Sequence, residues 1–421
     1  MRANTTAPSM AAPSPSRHAM PSPSRDAQRI EHLDALRGFA LLGILIVNIG
    51  VFASPWFGLG AADPAFDAPS DRLVHGSIAA LFEMKFYLLF SFLFGYSFQL
   101  QLDSARRADA AFAPRMVRRL LGLWSIGLAH ALLLFHGDIL STYAVLGLLL
   151  LAMRDSPEQR AWRRAIRLIG VTAAAWAGLA LWLWIDGDTR PADAATLAHA
   201  AQTVQSGFTG DPGQVIDARL RELGSTAIVL ACLQAPCALA MFLFGLIAGR
   251  RQVLARLDRY QPLLRRVRRY GLGIGLPAAL IFAAVTVLAP GGPLELLALA
   301  LSVLTAPWLS LAYAAWAMAA FDSARGRRAV AALAPAGRMA LSNYLLQSLM
   351  CALIFTGYGF GLMGRVSPLG CVTIAVALFG AQLSLSRWWL RRHAYGPIEW
   401  LLRALTIGHW PRLRKGLPDS H

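Results

Sequence analysis

The stretch LRGFALLGILIVNIGVFA, residues 36–53, carries a single charged side chain, Arg37. A helix needs about 20 apolar residues to cross the hydrocarbon core of a bilayer, so this stretch predicts a membrane-spanning helix. Similar stretches recur along the chain. We predict about ten spans, with approximate limits at residues 36–53, 76–101, 120–135, 139–153, 167–185, 226–248, 271–289, 293–321, 340–360 and 369–390.

The composition supports the same fold class. Hydrophobic residues make up 56% of the 421 residues and charged residues only 15%, yet the net charge is +17. Such a chain must separate long uncharged stretches by short basic loops, as polytopic membrane proteins do. The sequence therefore predicts an all-α polytopic membrane protein, excludes a soluble globular domain, and disfavours a nucleic-acid binder.

Positive charge alternates between the connecting segments. The segments after the even-numbered spans are rich in arginine, whereas residues 54–75 and 186–225 carry several aspartates. Because cytoplasmic loops carry an excess of Lys and Arg, both termini are predicted to be cytoplasmic, in a bacterial inner membrane. The segment 186–225 is long enough for an outer-face helix or lid.

The first span carries polar groups that a membrane makes costly, and such groups mark candidate sites. Asn48 follows Arg37 by about three turns, so the two side chains lie on one stripe roughly 16 Å apart. A polar stripe of this kind suits a helix that lines a channel. In the alternative interpretation, Asp34 and Arg37 cap and anchor the helix while Asn48 bonds a neighbouring helix.

The second and third spans add further ionisable residues. Lys85 needs a partner on another helix, or it extends outward to the interface. His130 lies inside the third span, a tight turn away from Asp138, and such a pair can act as a general base with an orienting carboxylate. The alternatives are a helix–helix hydrogen bond for His130 and an N-cap of the fourth helix for Asp138.

The ninth span begins with more polar side chains than packing usually requires: Arg338, Asn343, Tyr344 and Gln347. Asn343 and Gln347 are four residues apart and share a helix face. They suit a cavity wall, although small residues nearby also indicate close helix contact. The spacings of the four cysteines match no metal site, and no phosphate-binding loop or nucleophile-elbow motif occurs in the sequence.

Five segments, residues 33–49, 85–98, 127–150, 337–351 and 396–406, resemble the YeiB-like integral membrane proteins, a family named for a domain of unknown function (418). They read LDALRGFALLGILIVNI, KFYLLFSFLFGYSF, GLAHALLLFHGDILSTYAVLGLLL, GRMALSNYLLQSLMC and GPIEWLLRALT. They follow in the family's order across most of residues 33–406. The family has been described only loosely, as involved in transport.

The first-span motif is also similar to that of transmembrane acyltransferases. In heparan-glucosaminide acetyltransferases an Asp-x-x-Arg-Gly run precedes an Asn at the far end of the first helix, matching Asp34, Arg37 and Asn48. Acyltransferase-three proteins tend to carry a His at that Asn position, so this chain departs from them. The heparan-glucosaminide enzymes place their active His before the second span, where this chain has His75, whereas the YeiB-like motif supplies His130.

The resemblance implies a transfer of an acetyl-like acyl group from cytoplasmic acyl-CoA to an acceptor at the outer face, without a metal. His130 with Asp138 would take the acceptor proton, and Asn48 or Lys85 would stabilise the developing oxyanion. His75 is the alternative catalytic histidine. The implied binding residues are Asp34, Arg37, Arg338, Asn343, Tyr344 and Gln347.

The same residues fit a second class of protein. A transporter of a small or lipid-linked solute would use the His–Asp pair as a proton relay.

The expected partners are the lipid bilayer and a small-molecule, envelope-glycan or lipid acceptor, not a nucleic acid, and a homo-oligomer is compatible with the sequence. The predicted regions are a disordered tail (1–28), acyltransferase-like helices (29–153), a fifth span with outer loop (154–225), a YeiB-like region (226–406) and a basic tail (407–421).

Overall fold

The computed structural model describes residues 25–186 and 193–415, which form helices joined by short connections. The predicted all-α membrane architecture is confirmed, while the predicted tail at 1–28 lies outside the described residues apart from its last four, in the first helix. The helices are α1 (Arg25–Ala53), α2 (Pro69–Leu81), α3 (Lys85–Arg107), α4 (Phe112–Leu133), α5 (Leu140–Ala152), α6 (Glu158–Asp186), α7 (Ala194–Thr209), α8 (Pro212–Val229), α9 (Ala235–Arg250), α10 (Leu257–Tyr270), α11 (Leu276–Leu288), α12 (Pro293–Phe321), α13 (Ala324–Arg338), α14 (Ala340–Phe355), α15 (Pro368–Arg392) and α16 (Pro397–Ile407).

The number of apolar helices in the described ranges agrees with the predicted number of spans, and one of these helices is short. Eight helical stretches within the described ranges are long and apolar enough to cross a membrane, and the bent pair α13–α14 makes a ninth. The predicted fourth span is the 13-residue α5, which is about 20 Å long and falls short of the roughly 30 Å hydrocarbon core. Each of the ten predicted segments is helical over most of its length, and eight or nine helices of spanning length plus the short α5 agree with the prediction of about ten.

Two of the predicted spans are broken helices. Residues 76–101 fall on α2 and α3, which are separated at Met84, a residue with a φ of 62°. The predicted span 340–360 is α14, which is bent by 80° from α13. A broken helix inside a membrane protein exposes backbone groups that a ligand or a side chain can bind.

Glycines bring the central helices into backbone contact. A Cβ on Gly95 of α3 would lie 2.0 Å from the Phe242 carbonyl oxygen of α9, and a Cβ on Gly245 of α9 would lie 2.1 Å from the Phe92 carbonyl oxygen. Only glycine permits this approach, as at small-residue contacts in other membrane helices. The two helices therefore form one rigid wall at the centre of the protein.

The predicted outer segment contains α7 and most of α8. Asp193 caps α7 by accepting a hydrogen bond from the Thr196 N–H at 2.6 Å. Asp211 and Gln214 form a reciprocal capping box at the start of α8. These caps satisfy the free N–H groups of both helices, so the segment folds as a helical pair rather than a loop.

Candidate functional site

A cavity of about 830 Å³ runs through the middle of the helical bundle. One stripe of α1 lines it from Arg37 to Ser54, a distance of about 26 Å at 1.5 Å per residue. The cavity therefore extends through most of the depth of a bilayer. Asn48 lies on the same stripe, and its side chain makes no hydrogen bond among the described residues. The predicted polar stripe thus faces a cavity.

Three guanidinium groups, those of Arg37, Arg119 and Arg338, line one end of the cavity. Arg37 is ion-paired with Asp34 and donates to the Ser97 Oγ at 2.6 Å. Neither Arg119 nor Arg338 makes a hydrogen bond or a close ion pair within the described ranges. Guanidinium groups with free donors bind phosphates and carboxylates, so this end is suited to an anion.

Glu399 of α16 also lines the cavity, and its charge acts on the guanidinium of Arg119. It accepts hydrogen bonds from the Leu341 N–H at 2.7 Å and the Ser342 N–H at 3.0 Å, and also from the Ser342 hydroxyl. Glu399 therefore caps α14 at the break from α13. Burial raises the pKa of the Glu399 carboxyl, while these hydrogen bonds oppose the shift.

The middle of the cavity is mainly apolar, with one hydroxyl pair in its wall. Tyr143 and Ser91 share a hydrogen bond of 2.6 Å, and the Tyr143 hydroxyl donates to the Tyr87 carbonyl at 3.0 Å. A ring-lined passage of this kind suits an extended chain of mixed polarity. The lining side chains at this level are Leu41, Ile44, Phe86, Tyr87, Phe90, Leu93, Phe94 and Tyr143.

His130 and Asp138 form a buried pair near the other end of the cavity. The His130 Nδ1 lies 2.8 Å from the Asp138 Oδ1, and His130 is only 2% exposed. Asp138 also accepts from the N–H groups of Leu140 at 3.1 Å and Ser141 at 2.8 Å, in the first turn of α5. Asp138 thus orients the imidazole and caps the helix, so both sequence interpretations of this residue describe it.

The second ring nitrogen of His130 remains available. Its Nε2 is buried and has no hydrogen-bond partner in the described part of the chain. The His130 ring itself does not line the cavity, but its centroid lies 5.1 Å from that of Tyr344, which does. One aromatic side chain therefore separates the imidazole from the cavity.

Removing the Asp138 carboxylate should destabilise the protein. Asp138→Ala leaves two α5 N–H groups and the His130 Nδ1 without their acceptor, and we expect a loss of about 2 kcal/mol in unfolding free energy. Thermal unfolding in detergent measures the change. Asp138→Asn retains one acceptor oxygen and should lose less; equal melting temperatures for Asp138→Ala and the unmodified protein would contradict this role.

Three ionisable residues that line the cavity, Arg119, His136 and Glu399, are not among the predicted site residues. Arg119 belongs to the arginine-rich segment after the second predicted span, and Glu399 to the family-like segment 396–406. His136 lies in the α4–α5 turn and lines the cavity directly. Burial, together with the charge of Arg219, lowers the pKa of His136 to about 4, so its imidazole is neutral at neutral pH and only weakly basic.

Two residues proposed for the cavity wall instead join helices. The Asn343 amide donates to the Ala336 carbonyl at 3.0 Å and the Ser386 Oγ at 2.9 Å. The Gln347 amide donates to the Gln382 Oε1 at 2.9 Å. Both side chains are buried between α14 and α15 and do not line the cavity, so close helix contact is the correct interpretation of this face.

The side chains of Lys85 and His75 do not line the cavity. Lys85 is 0% exposed, and its Nζ donates to the Ala79 carbonyl at 2.9 Å, at the end of α2. It therefore neither extends outward nor reaches an oxyanion in the cavity. His75 is exposed on α2. Within the described ranges, no group of three or more His, Cys, Asp or Glu side chains is placed to hold a metal ion.

Comparison with known proteins places this architecture in a family. The chain is 31% identical to the uncharacterized protein YxaH of Bacillus subtilis (strain 168) over 407 residues, which cover 92% of this chain and 96% of YxaH. A family model described as "Protein of unknown function (DUF418)" matches residues 248–409. The chain belongs to the YeiB-like DUF418 family. The resemblance to YeiB-like proteins drawn from the sequence is thereby confirmed.

Two further relatives align over nearly their whole length. The uncharacterized protein YeiB of Escherichia coli (strain K12) is 29% identical, with 89% of this chain and 95% of YeiB aligned. An uncharacterized 39.9 kDa protein of Bacillus acidopullulyticus is 27% identical, with 93% and 98% aligned. The DUF418 match contains Arg338 and Glu399, whereas Arg37, Arg119 and His130 come from the preceding helices. The cavity is thus built from both parts of the chain.

Proposed function

We propose that this protein is a membrane acyltransferase that moves an acyl group from cytoplasmic acyl-CoA to an acceptor at the outer face of a bacterial inner membrane. The observation that carries the proposal is the cavity of bilayer depth, with three arginines at one end and the His130–Asp138 pair near the other. By the charge alternation of the loops, the arginine end faces the cytoplasm and both termini lie there.

The residues at the arginine end fit the donor. Arg119 and Arg338 have free guanidinium donors for the phosphates of CoA, and Arg37 lies beside them at the cavity wall. The ring-lined passage is apolar enough for a thioester arm and has the Tyr143 hydroxyl at mid-depth. Acyl-CoA supplies an activated acyl carbon, so no metal is needed for the transfer itself.

The protein side of the chemistry is general base catalysis. The Nδ1–H of His130 donates to Asp138, which leaves the Nε2 lone pair as the base. His130 accepts the proton of the acceptor hydroxyl or amine as that atom bonds to the acyl carbon. It then gives the proton to the sulfur as the carbon–sulfur bond breaks, which releases the free thiol. Tyr344 must turn aside to admit the acceptor to Nε2.

Asn48 is assigned to the developing negative charge on the acyl oxygen. Its side chain lines the cavity without a hydrogen-bond partner in the described residues, so its amide N–H can donate to that oxygen. Lys85 is left out of the reaction because it is engaged with the Ala79 carbonyl.

A proton-coupled transporter is the second candidate, favoured by the buried titratable pair at membrane depth. Transport requires that the cavity be closed alternately at its two ends. The transferase is preferred because a single cavity reaching both polar ends allows donor and acceptor to meet without such a cycle. Solute uptake by vesicles without thiol release from acetyl-CoA would establish the transporter.

Binding of acetyl-CoA to the purified protein tests the donor site. Arg119→Ala removes a cavity-lining charge, and we expect a loss of roughly 10- to 100-fold in affinity, as for other charge-assisted contacts. Arg118→Ala is the matched control, because Arg118 is exposed beside it and does not line the cavity. Equal effects of the two substitutions, or no acetyl-CoA binding by the unmodified protein, would overturn the assignment.

A further inference from the structure

The second half of α8 is exposed on nearly all of its faces. A helix that packs against a bundle normally buries one face. From residue 224 to residue 232, the exposed positions are Gly224, Ser225, Ala227, Ile228, Val229, Ala231 and Cys232. This segment therefore stands apart from its neighbours, with free surface on two sides.

One of these two sides is the cavity. Ser225, Thr226, Val229 and Leu233 line it, together with Gln234. Ile228, next to Val229, does not line the cavity and is 66% exposed on the other side. A single helix thus separates the cavity from the surface that the hydrocarbon of the membrane covers.

A local irregularity holds this helix in place. Pro236 has no N–H to donate to the Cys232 carbonyl four residues earlier, and the chain passes through a π-helical turn at residues 230–234. The Trp176 indole of α6 donates to the Cys232 carbonyl instead, at 3.4 Å. Beyond this contact α6 leaves the bundle, and Leu181, Trp182 and Ile185 near its end are exposed.

The helical pair α7–α8 covers the cavity on its aqueous side. Val204 and Phe208 of α7 line the cavity from above. The Gly357 N–H donates to the Phe208 carbonyl at 2.8 Å, and the Gln205 amide donates to the Met363 carbonyl at 3.0 Å. These bonds fasten α7 to the connection between α14 and α15.

Arg219 binds α8, the second helix of this pair, to its neighbours. It is 1% exposed, and its guanidinium donates to the Leu133 carbonyl at the end of α4 and to the Tyr358 hydroxyl at 3.1 Å. The positive charge also lies favourably at the C-terminus of α4. The helical pair is therefore bound to α4 and to the α14–α15 connection. Ser225 and Val229 of α8, by contrast, are exposed and also line the cavity, which marks an opening beside this helix.

The rim of that opening is mainly apolar, with one hydroxyl at Ser225. Phe57, 54% exposed, and Val229, 42% exposed, both line the cavity. Two polar side chains, Asn48 and His136, line the cavity at the same end and are half-buried. From outside to inside, the route passes the surface covered by hydrocarbon, then the mainly apolar rim, then polar side chains. This order matches a lipid whose headgroup enters the cavity while its chain stays in the bilayer.

We infer that the acceptor is a lipid, and that its headgroup reaches the cavity sideways from the outer leaflet, between α8 and its neighbours. This substrate class rests on the proposed acyl transfer and on the loop-charge orientation, whereas the lateral entry of a lipid does not depend on the reaction.

Photolabelling tests the entry route directly. The purified protein is reconstituted in vesicles of phosphatidylethanolamine and phosphatidylglycerol that contain a phosphatidylglycerol with a diazirine near the headgroup end of its chain. Labelled residues are mapped by mass spectrometry. Leu233 is buried and lines the cavity, so its labelling reports a chain that has passed the rim, whereas Ile228 should be labelled by the bilayer in any case.

We expect labelling of Leu233 in the unmodified protein, and a several-fold reduction in Val229→Trp, which fills the rim. Ile228→Trp is the matched control and should leave Leu233 labelling unchanged. Absence of label at Leu233, or equal labelling in the two variants, would overturn the inference. Thiol release from acetyl-CoA is measured in the same vesicles. Labelling of Leu233 without thiol release would contradict the proposed acyl transfer but support lipid entry. Thiol release without labelling of Leu233 would support acyl transfer but contradict lipid entry.

Discussion

His130→Ala should abolish acyl transfer while leaving acetyl-CoA binding intact. General base catalysis contributes roughly 10²- to 10⁴-fold to the rate of a reaction. Among the described residues, His130 is the one histidine whose Nδ1 contacts a carboxylate, which orients the ring and leaves Nε2 as the base. Thiol release from acetyl-CoA, with the protein reconstituted in bacterial inner-membrane lipids, measures the rate. Binding of acetyl-CoA measured separately distinguishes lost chemistry from lost folding.

Two other histidines provide the comparison. His136→Ala should reduce the rate much less, because the low pKa of His136 makes it a poor proton acceptor. His75→Ala should have little effect, since His75 is exposed on α2 and does not line the cavity. A fully active His130→Ala protein beside an inactive His75→Ala or His136→Ala protein would move the catalytic assignment to that residue.

Gly245→Val should prevent the protein from folding stably. The added side chain would meet the Phe92 carbonyl and the Tyr96 N–H of α3, at 2.1 and 2.7 Å from the new Cβ. Backbone cannot yield as a flexible side chain can, so the cost should exceed about 3 kcal/mol. The expected result is a low yield of folded protein and a much lower melting temperature.

Gly380→Val in α15 controls for the loss of glycine itself. No atom lies within 4 Å of a Cβ built on Gly380, so the larger side chain meets open space. This variant should melt close to the unmodified protein. Similar melting temperatures for Gly245→Val and Gly380→Val would show that α3 and α9 are not in backbone contact.

Features that depend on local periodicity could be predicted from the sequence. The stripe of Arg37 and Asn48 follows from helical geometry alone, and both side chains face the cavity. The His130–Asp138 pair was predictable because a short turn brings the two residues together. The YeiB-like family was recognised for the same reason, since its motifs are contiguous segments.

Features that depend on contacts between distant segments could not be predicted. Arg119 is one of several arginines in a segment predicted to be a loop, and only the packing of α4 against α5 and α16 places it at the cavity. Glu399 reaches α14 because of the 80° bend before that helix. Asn343 and Gln347 were expected at the cavity because a polar helix face looks the same whether it meets water or polar groups of another helix.

The most direct test of the account is vectorial transfer in sealed vesicles. The protein is reconstituted with its arginine end outward in inner-membrane lipids, and acetyl-CoA with a radiolabelled acetyl group is added outside only. The account predicts label in the lipid of the inner leaflet, free thiol released outside in equal amount, and neither product with His130→Ala. Thiol release no greater than in protein-free vesicles, or equal labelling by the His130→Ala protein, would contradict it.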